Sequence, residues 1–214
     1  MLVLAAVGTF GYGQKPQMSL QRGNSDALSA LSWGLKFSYY APRTDNVTSV
    51  FNALEDSSGL SRGSRFDIYY LVGGNLRYSL DKRNDVGIET EVSLAQTKFA
   101  NVTSIQRVYV VGAQYYYHLQ PRRPGFYGVD IGGGVGWLVT NFEREYGGDN
   151  RRVAVLTNSL RLNGAVEWWA ALSQNLYFEL EARYLFVPNI RVENPQTTIN
   201  MSSIVMSAGF SVKL

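Results

Sequence analysis

Three charged residues near the end of the sequence have the types and spacing for proton chemistry. Glu179, Glu181 and Arg183 alternate with Leu180 and Ala182. Crowded carboxylates beside a cation are typical of proton-carrying and catalytic sites, whose pKa values are shifted. The same grouping also fits a salt-bridge network that stabilises the fold, and we favour this structural interpretation.

Two further features are weaker candidates for chemistry. His118 is the only histidine, and a His-dependent lipase or protease would need a Ser or Asp partner. We find no such pair near the polar segments 43–65, 100–104, 141–150 and 188–198, so we predict a solvated His118 and no enzymatic activity. The glycine run 132–136 is not a phosphate loop, because no helix start and no Lys-Ser/Thr pair follows it. The chain has no Cys, and we predict neither a metal site nor a cofactor.

The stretch 176–187, which contains the three charges, has the period of a β-strand. Successive side chains leave a strand on opposite sides, so a period of two indicates a sheet rather than a helix. One parity is apolar and the other carries the charges. The apolar parity consists of Leu176, Phe178, Leu180, Ala182, Tyr184 and Phe186.

The same alternation predicts eight strands, at about 31–40, 66–80, 86–99, 106–119, 126–140, 155–172, 176–187 and 203–214. Tight turns are predicted after the second, fourth and sixth strands. Longer polar loops are predicted at 43–65, 100–104, 141–150 and 188–198, where Asp, Asn, Ser and Gly accumulate. This rhythm indicates an all-β, antiparallel, up-and-down barrel in one domain, with both chain ends on the short-turn side.

Two kinds of eight-stranded barrel must be distinguished. A soluble ligand-binding barrel has its apolar face inside, whereas a membrane barrel has it outside. Nearly every strand carries four to six bulky apolar residues on one face, which is too much volume for an eight-stranded lumen. The opposite face is rich in Gly and Ser, and its charges nearly balance, as buried charges must. We therefore predict a transmembrane barrel.

In this arrangement the charged face forms a lumen network. Its predicted members are Lys36, Arg77, Glu89, Glu91, Asp130, Arg161, Glu167, Glu179, Glu181 and Arg183, and Lys213 shares their parity. Folding the second hairpin about its turn is expected to place Arg77 opposite Glu89. Aromatic clusters near the strand ends are expected to form two girdles at the headgroup level, at Tyr39-Tyr40, Tyr69-Tyr70, Tyr115-Tyr116-Tyr117, Trp168-Trp169 and Tyr184. Tyr69, Tyr116, Trp169 and Tyr177 have the inward parity and would help to fill the lumen.

With these eight strands and this loop rhythm, residues 29–214 resemble the small outer-membrane β-barrels of Gram-negative bacteria, of the OmpA-barrel and OmpX type. The last strand resembles the assembly signal that the outer-membrane insertion machinery reads, with Phe210, Val212 and Leu214 in the key positions. Leu214 departs from the usual terminal aromatic residue. The resemblance implies a bacterial outer-membrane location with both termini in the periplasm, contact with lipid and lipopolysaccharide, and the insertion machinery as a partner.

The function expected of such a barrel is structural or interactive, through envelope integrity or adhesion by the long loops, with a side-chain-filled lumen. Its surface ligand is unknown. The alternative is a narrow porin-like channel for ions or small solutes. A lipid-modifying enzyme would need the Ser/His or Asp/His pair that is missing near the long loops. We predict that nucleic acid is not a partner, because the net charge is only +3 and the basic residues are dispersed.

The N-terminal residues are expected to precede the barrel domain. Residues 1–13 are apolar and then small, which resembles the end of a secretory signal peptide without its basic region. The alternative is an ordinary apolar strand or short helix. Residues 14–28 are polar and are predicted to be a flexible lead-in.

Overall fold

The computed structural model describes residues 30–42, 45–60, 63, 69–147, 151–192 and 197–214. This part of the chain contains ten strands and one helix. The predicted signal peptide (1–13) and lead-in (14–28) lie outside this part. In chain order the elements are β1 (Leu31–Tyr40), α1 (Asp45–Ser58), β2 (Tyr69–Ser79), β3 (Asn84–Phe99), β4 (Val102–His118), β5 (Tyr127–Tyr146), β6 (Arg151–Ala171), β7 (Leu176–Phe186), β8 (Ile190–Val192), β9 (Thr197–Ile199) and β10 (Ser203–Lys213).

Eight of these strands close into a barrel. Each of β1 to β6 pairs antiparallel with the next strand along the chain, β7 pairs with β10, and β10 closes the ring against β1. In the closing pair Trp33 faces Val212 and Phe37 faces Ala208. The prediction of an eight-stranded antiparallel up-and-down barrel is therefore confirmed. Among the described residues, no helix is both long and apolar enough to cross a membrane.

The barrel is inside-out relative to a soluble protein. On β7, Leu180 and Tyr184 are 43% and 53% exposed, whereas Glu181 and Arg183 between them are 4% and 1% exposed. The other barrel strands repeat this pattern, because the pleat sends alternate side chains to opposite faces. The outer apolar side chains form a continuous surface around the barrel, which we call the apolar band. It includes Leu35, Phe37, Val72, Ile88, Val111, Val135, Leu162, Val166 and Phe210.

The strands differ in length. A membrane-spanning strand needs about 9–11 residues, and β1, β2, β7 and β10 have 10 or 11. The consecutive strands β3 to β6 have 16 to 21 residues and extend beyond the apolar band at the loop end. Their distal ends, residues 95–106, 142–147 and 151–155, form what we call the protruding sheet.

The loops predicted at 100–104 and 141–150 were therefore largely wrong. Strands β3 and β4 meet in a two-residue turn at Ala100 and Asn101, and β5 continues to Tyr146. Ala100 occupies the left-handed region with φ of 51°. These strand ends were missed because most of their residues are polar, among them Thr103, Ser104, Glu143 and Arg144, so hydropathy does not distinguish the two faces there.

Two of the predicted polar loops contain regular structure. Helix α1 occupies most of the predicted loop 43–65, and β8 and β9 form a small hairpin in the predicted loop 188–198. Val47, Val50 and Phe51 follow helical spacing and are fully buried, while the other face of α1 is polar. The sequence analysis missed this short apolar stripe because the segment 43–65 is mostly polar. The helix packs across the loop end of the lumen.

Candidate functional site in the barrel interior

The structure places all ten side chains of the predicted network inside the barrel, each no more than 8% exposed. They belong to six strands and meet across the lumen because each occupies an inward position of its strand. Lys213, which shares their parity, instead lies exposed at the rim of the short-turn end. The interior has three layers, which are two ionic clusters and an apolar one.

Glu89 on β3 is the centre of the first ionic cluster. Its carboxylate accepts hydrogen bonds from Lys36 Nζ at 2.8 Å and from the guanidinium groups of Arg161 and Arg183. Gln114 donates to the same carboxylate. Four donors from four different strands therefore converge on one anion, which compensates for its removal from water.

Glu91 and Glu181 complete this cluster. Arg183 Nη2 donates to Glu91 at 2.5 Å, and Ser38 Oγ donates to the other Glu91 oxygen at 2.6 Å. Lys36 Nζ lies 3.2 Å from Glu181 Oε2. Every carboxylate here has a cationic partner, so the cluster joins β1, β3, β6 and β7 across the lumen.

The second ionic cluster lies towards the short turns and is built around Arg77. Its guanidinium binds both oxygens of Glu167, at 2.7 and 2.6 Å, and stacks 4.1 Å from the Tyr116 ring centroid. The predicted pairing of Arg77 with Glu89 is wrong. Arg77 lies opposite Gly87, and Glu89 lies opposite Asn75.

The register error has a local cause. The β2–β3 connection is only residues 80–83, where Leu80 N–H donates to Asn84 O at 2.8 Å. This tighter turn shifts the pairing by two residues relative to the prediction. A shift of two preserves the direction of every side chain, so Arg77 and Glu89 still point inward.

Arg122 joins this cluster and was not predicted. It lies on the β4–β5 turn, yet its guanidinium reaches inward to Asp130 at 2.7 Å, Glu167 at 2.5 Å and Glu179 at 2.7 Å. Its Cζ is 5.6 Å from the ring centroids of both Trp169 and Tyr177. The predicted set has four cations and six acids, and Arg122 supplies one of the missing cations. Strand alternation cannot reveal it, because a turn residue has no face.

His118 is buried rather than solvated, which corrects the prediction for this residue. It is 3% exposed, with Nε2 3.1 Å from Asp85 Oδ2 and Nδ1 2.8 Å from Asp130 Oδ1. Trp169 Nε1 donates to the same Asp130 oxygen at 3.0 Å. Both ring nitrogens therefore face carboxylates, and neither is left to activate a hydroxyl group.

The third layer is apolar and closes the loop end. Helix α1 inserts Val47 and Phe51 into a cluster with Tyr40, Leu71 and Val110 of the strands, and the cluster also contains Tyr69, Val108, Leu138, Phe142, Leu185, Val187, Ile199, Met201 and Val205. The Tyr40 hydroxyl donates to the Met201 carbonyl.

One buried acid ties α1 to the protruding sheet. Glu55 Oε1 lies 2.6 Å from both Arg144 Nη1 and the Tyr146 hydroxyl of β5. Arg144 Cζ in turn lies 5.0 Å from the Phe51 ring centroid. Burial, together with the hydrogen bond to Glu55, raises the pKa of the Tyr146 hydroxyl above its usual range, so it remains a donor.

The lumen is filled. The void between Lys36, Glu167, Glu179, Glu181 and Ser207 has a volume of only about 10 Å³, which is the space for roughly one water molecule. In the described part of the chain, no group of His, Asp and Glu side chains is arranged to hold a metal ion. The ionic clusters can therefore stabilise the barrel, and this void between them is too small for an organic molecule.

The aromatic clusters are divided between the two faces. Tyr39, Tyr70, Tyr115, Trp168 and Tyr184 are exposed on the outer face. Their neighbours in sequence, Tyr40, Tyr69, Tyr116 and Trp169, are buried inside, because adjacent residues of a strand point in opposite directions. Tyr177 is also inside, so all four residues with predicted inward rings are buried, and the outer girdles contain only part of each cluster.

Comparison with known proteins shows the fold. No protein-family model matches the chain, and no curated protein sequence does. Among solved structures, the neisserial surface protein A is similar, with a TM-score of 0.56 and 13% identity over 86% of this chain and 97% of that one. Ail, the attachment invasion locus protein of Yersinia pestis, gives a TM-score of 0.55 and 9% identity over 85% and 94%. The outer membrane protein OprG of Pseudomonas aeruginosa gives a TM-score of 0.50 and 13% identity over 86% of this chain and 95% of that one. The chain thus has the fold of the small eight-stranded outer-membrane barrels.

Proposed function

We propose that this protein is a bacterial outer-membrane barrel with a closed lumen, whose function is to contact other molecules at the cell surface. The observation that carries the proposal is the combination of an outer apolar band with an interior that side chains fill between α1 at the loop end and the Arg77 cluster towards the short turns. The band requires a hydrocarbon environment, because exposing so large an apolar surface to water is strongly unfavourable. The filled interior argues against diffusion through the barrel.

The ends of the lumen are closed by different means. Helix α1 and its apolar cluster fill the loop end, and Arg122 with its acidic partners closes the lumen on the short-turn side. Carboxylates on both ring nitrogens of His118 argue against hydrolytic catalysis at that residue. A structural and interactive function remains the one that this geometry supports best.

The contact surface that we propose is the protruding sheet together with the exposed face of α1. In the proposed orientation the short turns lie in the periplasm and the long strands β3 to β6 rise above the outer leaflet, as is usual for bacterial barrels. The names of two proteins with this fold, a surface protein and an attachment invasion locus protein, refer to surface roles. The final strand, with Phe210, Val212 and Leu214, would direct assembly by the insertion machinery.

Conductance in planar bilayers tests the closed lumen. The detergent-purified protein is expected to give no steady, large current steps, and such steps would support the channel alternative instead. Electrophoresis of unboiled and boiled samples provides the folding control, since a closed membrane barrel resists SDS until heated. Identical migration of the two samples would contradict the membrane barrel itself.

Binding to host cells or to matrix proteins tests the contact function. Cells that display the full protein are compared with cells that display a variant without residues 95–106, the tip of the β3–β4 hairpin. Loss of binding with normal barrel assembly is expected. Equal binding by the two strains would remove the protruding sheet from the proposal.

A further inference from the structure

The short-turn end of the lumen opens into a recess whose rim carries cations that do not belong to the ionic clusters. The recess has a volume of about 470 Å³ and lies on the barrel axis, between the β2–β3 turn, the β4–β5 turn and the ends of β1, β7 and β10. This volume falls in the range of small-molecule sites, roughly 300–1,000 Å³. His118 and Arg122 form its floor.

Three cations line the rim of the recess, namely Lys82, Arg123 and Lys213. All three are exposed, and none of them forms an ion pair with another described residue. By contrast, Arg122 and His118 on the floor are already paired with Asp130 and other buried acids. The rim therefore has an uncompensated positive charge above a floor that is neutralised.

The acid on the rim does not compensate these cations. The Asp81 carboxylate accepts hydrogen bonds from the Arg83 backbone N–H at 2.7 Å and from Asn84 Nδ2 at 2.7 and 2.8 Å. These bonds, of which the one from the Arg83 N–H has the largest effect, hold the pKa of the Asp81 carboxyl group below its usual range. Asp81 is therefore ionised, but its carboxylate is already bound within its own turn. In the sequence, residues 14–28, which precede the recess residue Ala30, carry Lys15 and Arg22 against Asp26. The net charge of that segment is therefore positive.

A second observation indicates what the ligand must offer. Asp85 lines the recess and is 3% exposed, and its Oδ1 has no hydrogen-bond partner among the described residues. A buried acceptor without a partner is unfavourable, so a ligand that supplies an N–H donor at this point would gain affinity. The hydroxyl groups of Ser32 and Ser79 are also in the lining.

We propose that this recess binds a short acidic peptide. Lys82, Arg123 and Lys213 come from three different elements, so they suit a ligand with several separate carboxylates better than one compact phosphate group. The peptide's amide N–H groups would serve Asp85. A lipid headgroup is a poorer fit, because its acyl chains must lie against the apolar band outside the barrel while the recess lies on the axis. The periplasmic source of the peptide rests on the proposed orientation.

Calorimetric titration of the folded protein in neutral detergent tests this site. The probe is an acetylated and amidated tri-glutamate peptide, with tri-glutamine as the uncharged match. Binding of tri-glutamate alone is expected, and its affinity should fall as salt is raised, since exposed charges are screened. Equal binding of both peptides, or binding of neither, would overturn the proposal. So would competition by inorganic phosphate at the same affinity.

A triple variant localises the binding. Lys82→Gln, Arg123→Gln and Lys213→Gln together should weaken tri-glutamate binding by about tenfold or more, given three exposed charge contacts. A double variant at the opposite end, Lys98→Gln with Arg151→Gln, should bind as the parent does. A similar loss of tri-glutamate affinity in both variants would show that the peptide does not bind in the recess. All five side chains are exposed, so the variants should keep the heat-dependent migration of the parent.

Labelling of intact cells separates this inference from the proposed function. An impermeant maleimide should react with a Lys98→Cys variant and not with Lys213→Cys. If Lys213→Cys is labelled from outside, the proposed orientation and the periplasmic source are wrong, whereas the titration still decides whether the recess binds an acidic peptide.

Discussion

Glu89 illustrates how a carboxylate is stabilised inside this lumen. An isolated charge in such a place is strongly unfavourable, but Glu89 has Lys36, Arg161 and Arg183 around it and Gln114 as a further donor. The cations depend on Glu89 as much as it depends on them. Neutralising this one anion leaves three buried cations with an excess of positive charge.

We predict that Glu89→Gln destabilises the barrel by about 3–5 kcal/mol, because breaking a buried ion network leaves charge uncompensated. The free energy of unfolding, measured by urea titration in lipid vesicles, checks this value. Glu145→Gln is the matched control, since Glu145 is exposed on the protruding sheet and its loss should cost within about 0.5 kcal/mol. Equal stability of the two variants would show that Glu89 and its ionic cluster contribute nothing to the free energy of unfolding.

Gly136 and Gly164 provide a second test at the residue scale. A Cβ on Gly136 would lie 2.1 Å from the Val111 carbonyl oxygen and 2.6 Å from Gly112 Cα, whereas a Cβ on Gly164 would meet no atom within 4 Å. Gly136→Ala should therefore destabilise the barrel by about 1–3 kcal/mol through overpacking. Gly164→Ala should be neutral or stabilising by up to about 1 kcal/mol. The same urea titration compares them, and an equal loss in both would contradict the crowding.

At the scale of elements, α1 is held by two contacts of different kinds. Val47, Val50 and Phe51 bury its apolar stripe, and Glu55 forms the ionic and hydrogen-bonded contact with Arg144 and Tyr146. The strands beneath α1 have their own ladder hydrogen bonds and do not need the helix to stay paired. The helix can therefore open without the barrel unfolding.

We predict that Glu55→Gln loosens α1 selectively. Removing a buried anion from Arg144 should raise amide hydrogen exchange in residues 45–58 by about a hundredfold or more. Exchange in β1 and β10 should not change. Ser58→Ala, on the exposed side of the same helix, is the control and should leave α1 protected. Loss of protection throughout the barrel would contradict an independently seated helix.

The sequence predicts the barrel strands well because two environments alternate along them. Where lipid faces one side and packed charges the other, hydropathy has a clean period of two, and the inward position of all ten network residues could be read from it. The pattern fails where the environment changes. The protruding sheet has water on its outer side, α1 has a polar composition, and Arg122 lies on a turn. The positions of these three features depend on tertiary contacts, which the alternation of hydropathy along a strand does not encode.

At the scale of the whole molecule, the apolar band and the protruding sheet are stabilised by different interactions. The band needs hydrocarbon, whereas the sheet beyond it is ordered by strand pairing and by its packing against α1. The register continues from one to the other without a break, from Val92 opposite Tyr109 to Phe99 opposite Val102. The barrel should therefore tolerate loss of the tip.

We predict that replacing residues 95–106 by Asn-Gly leaves barrel assembly intact, because Leu94 and Arg107 are already directly paired and a two-residue turn suits that geometry. Unboiled and boiled samples of the shortened protein should still migrate differently. The matched change inside the band, removal of residues 88–91 with 110–113, should abolish that difference. If the tip deletion also abolishes it, the sheet is part of the folding unit.

The pairing of β1 with β10 has a consequence for biosynthesis. The ring is complete only when residues 31–40 meet residues 203–213, so every shorter nascent chain has two unpaired strand edges. Such edges invite aggregation, and contacts this distant in sequence form slowly. The polypeptide is therefore expected to stay unfolded until β10 has been translated, and a product truncated before β10 is expected to be a substrate for quality-control proteases rather than a partial barrel.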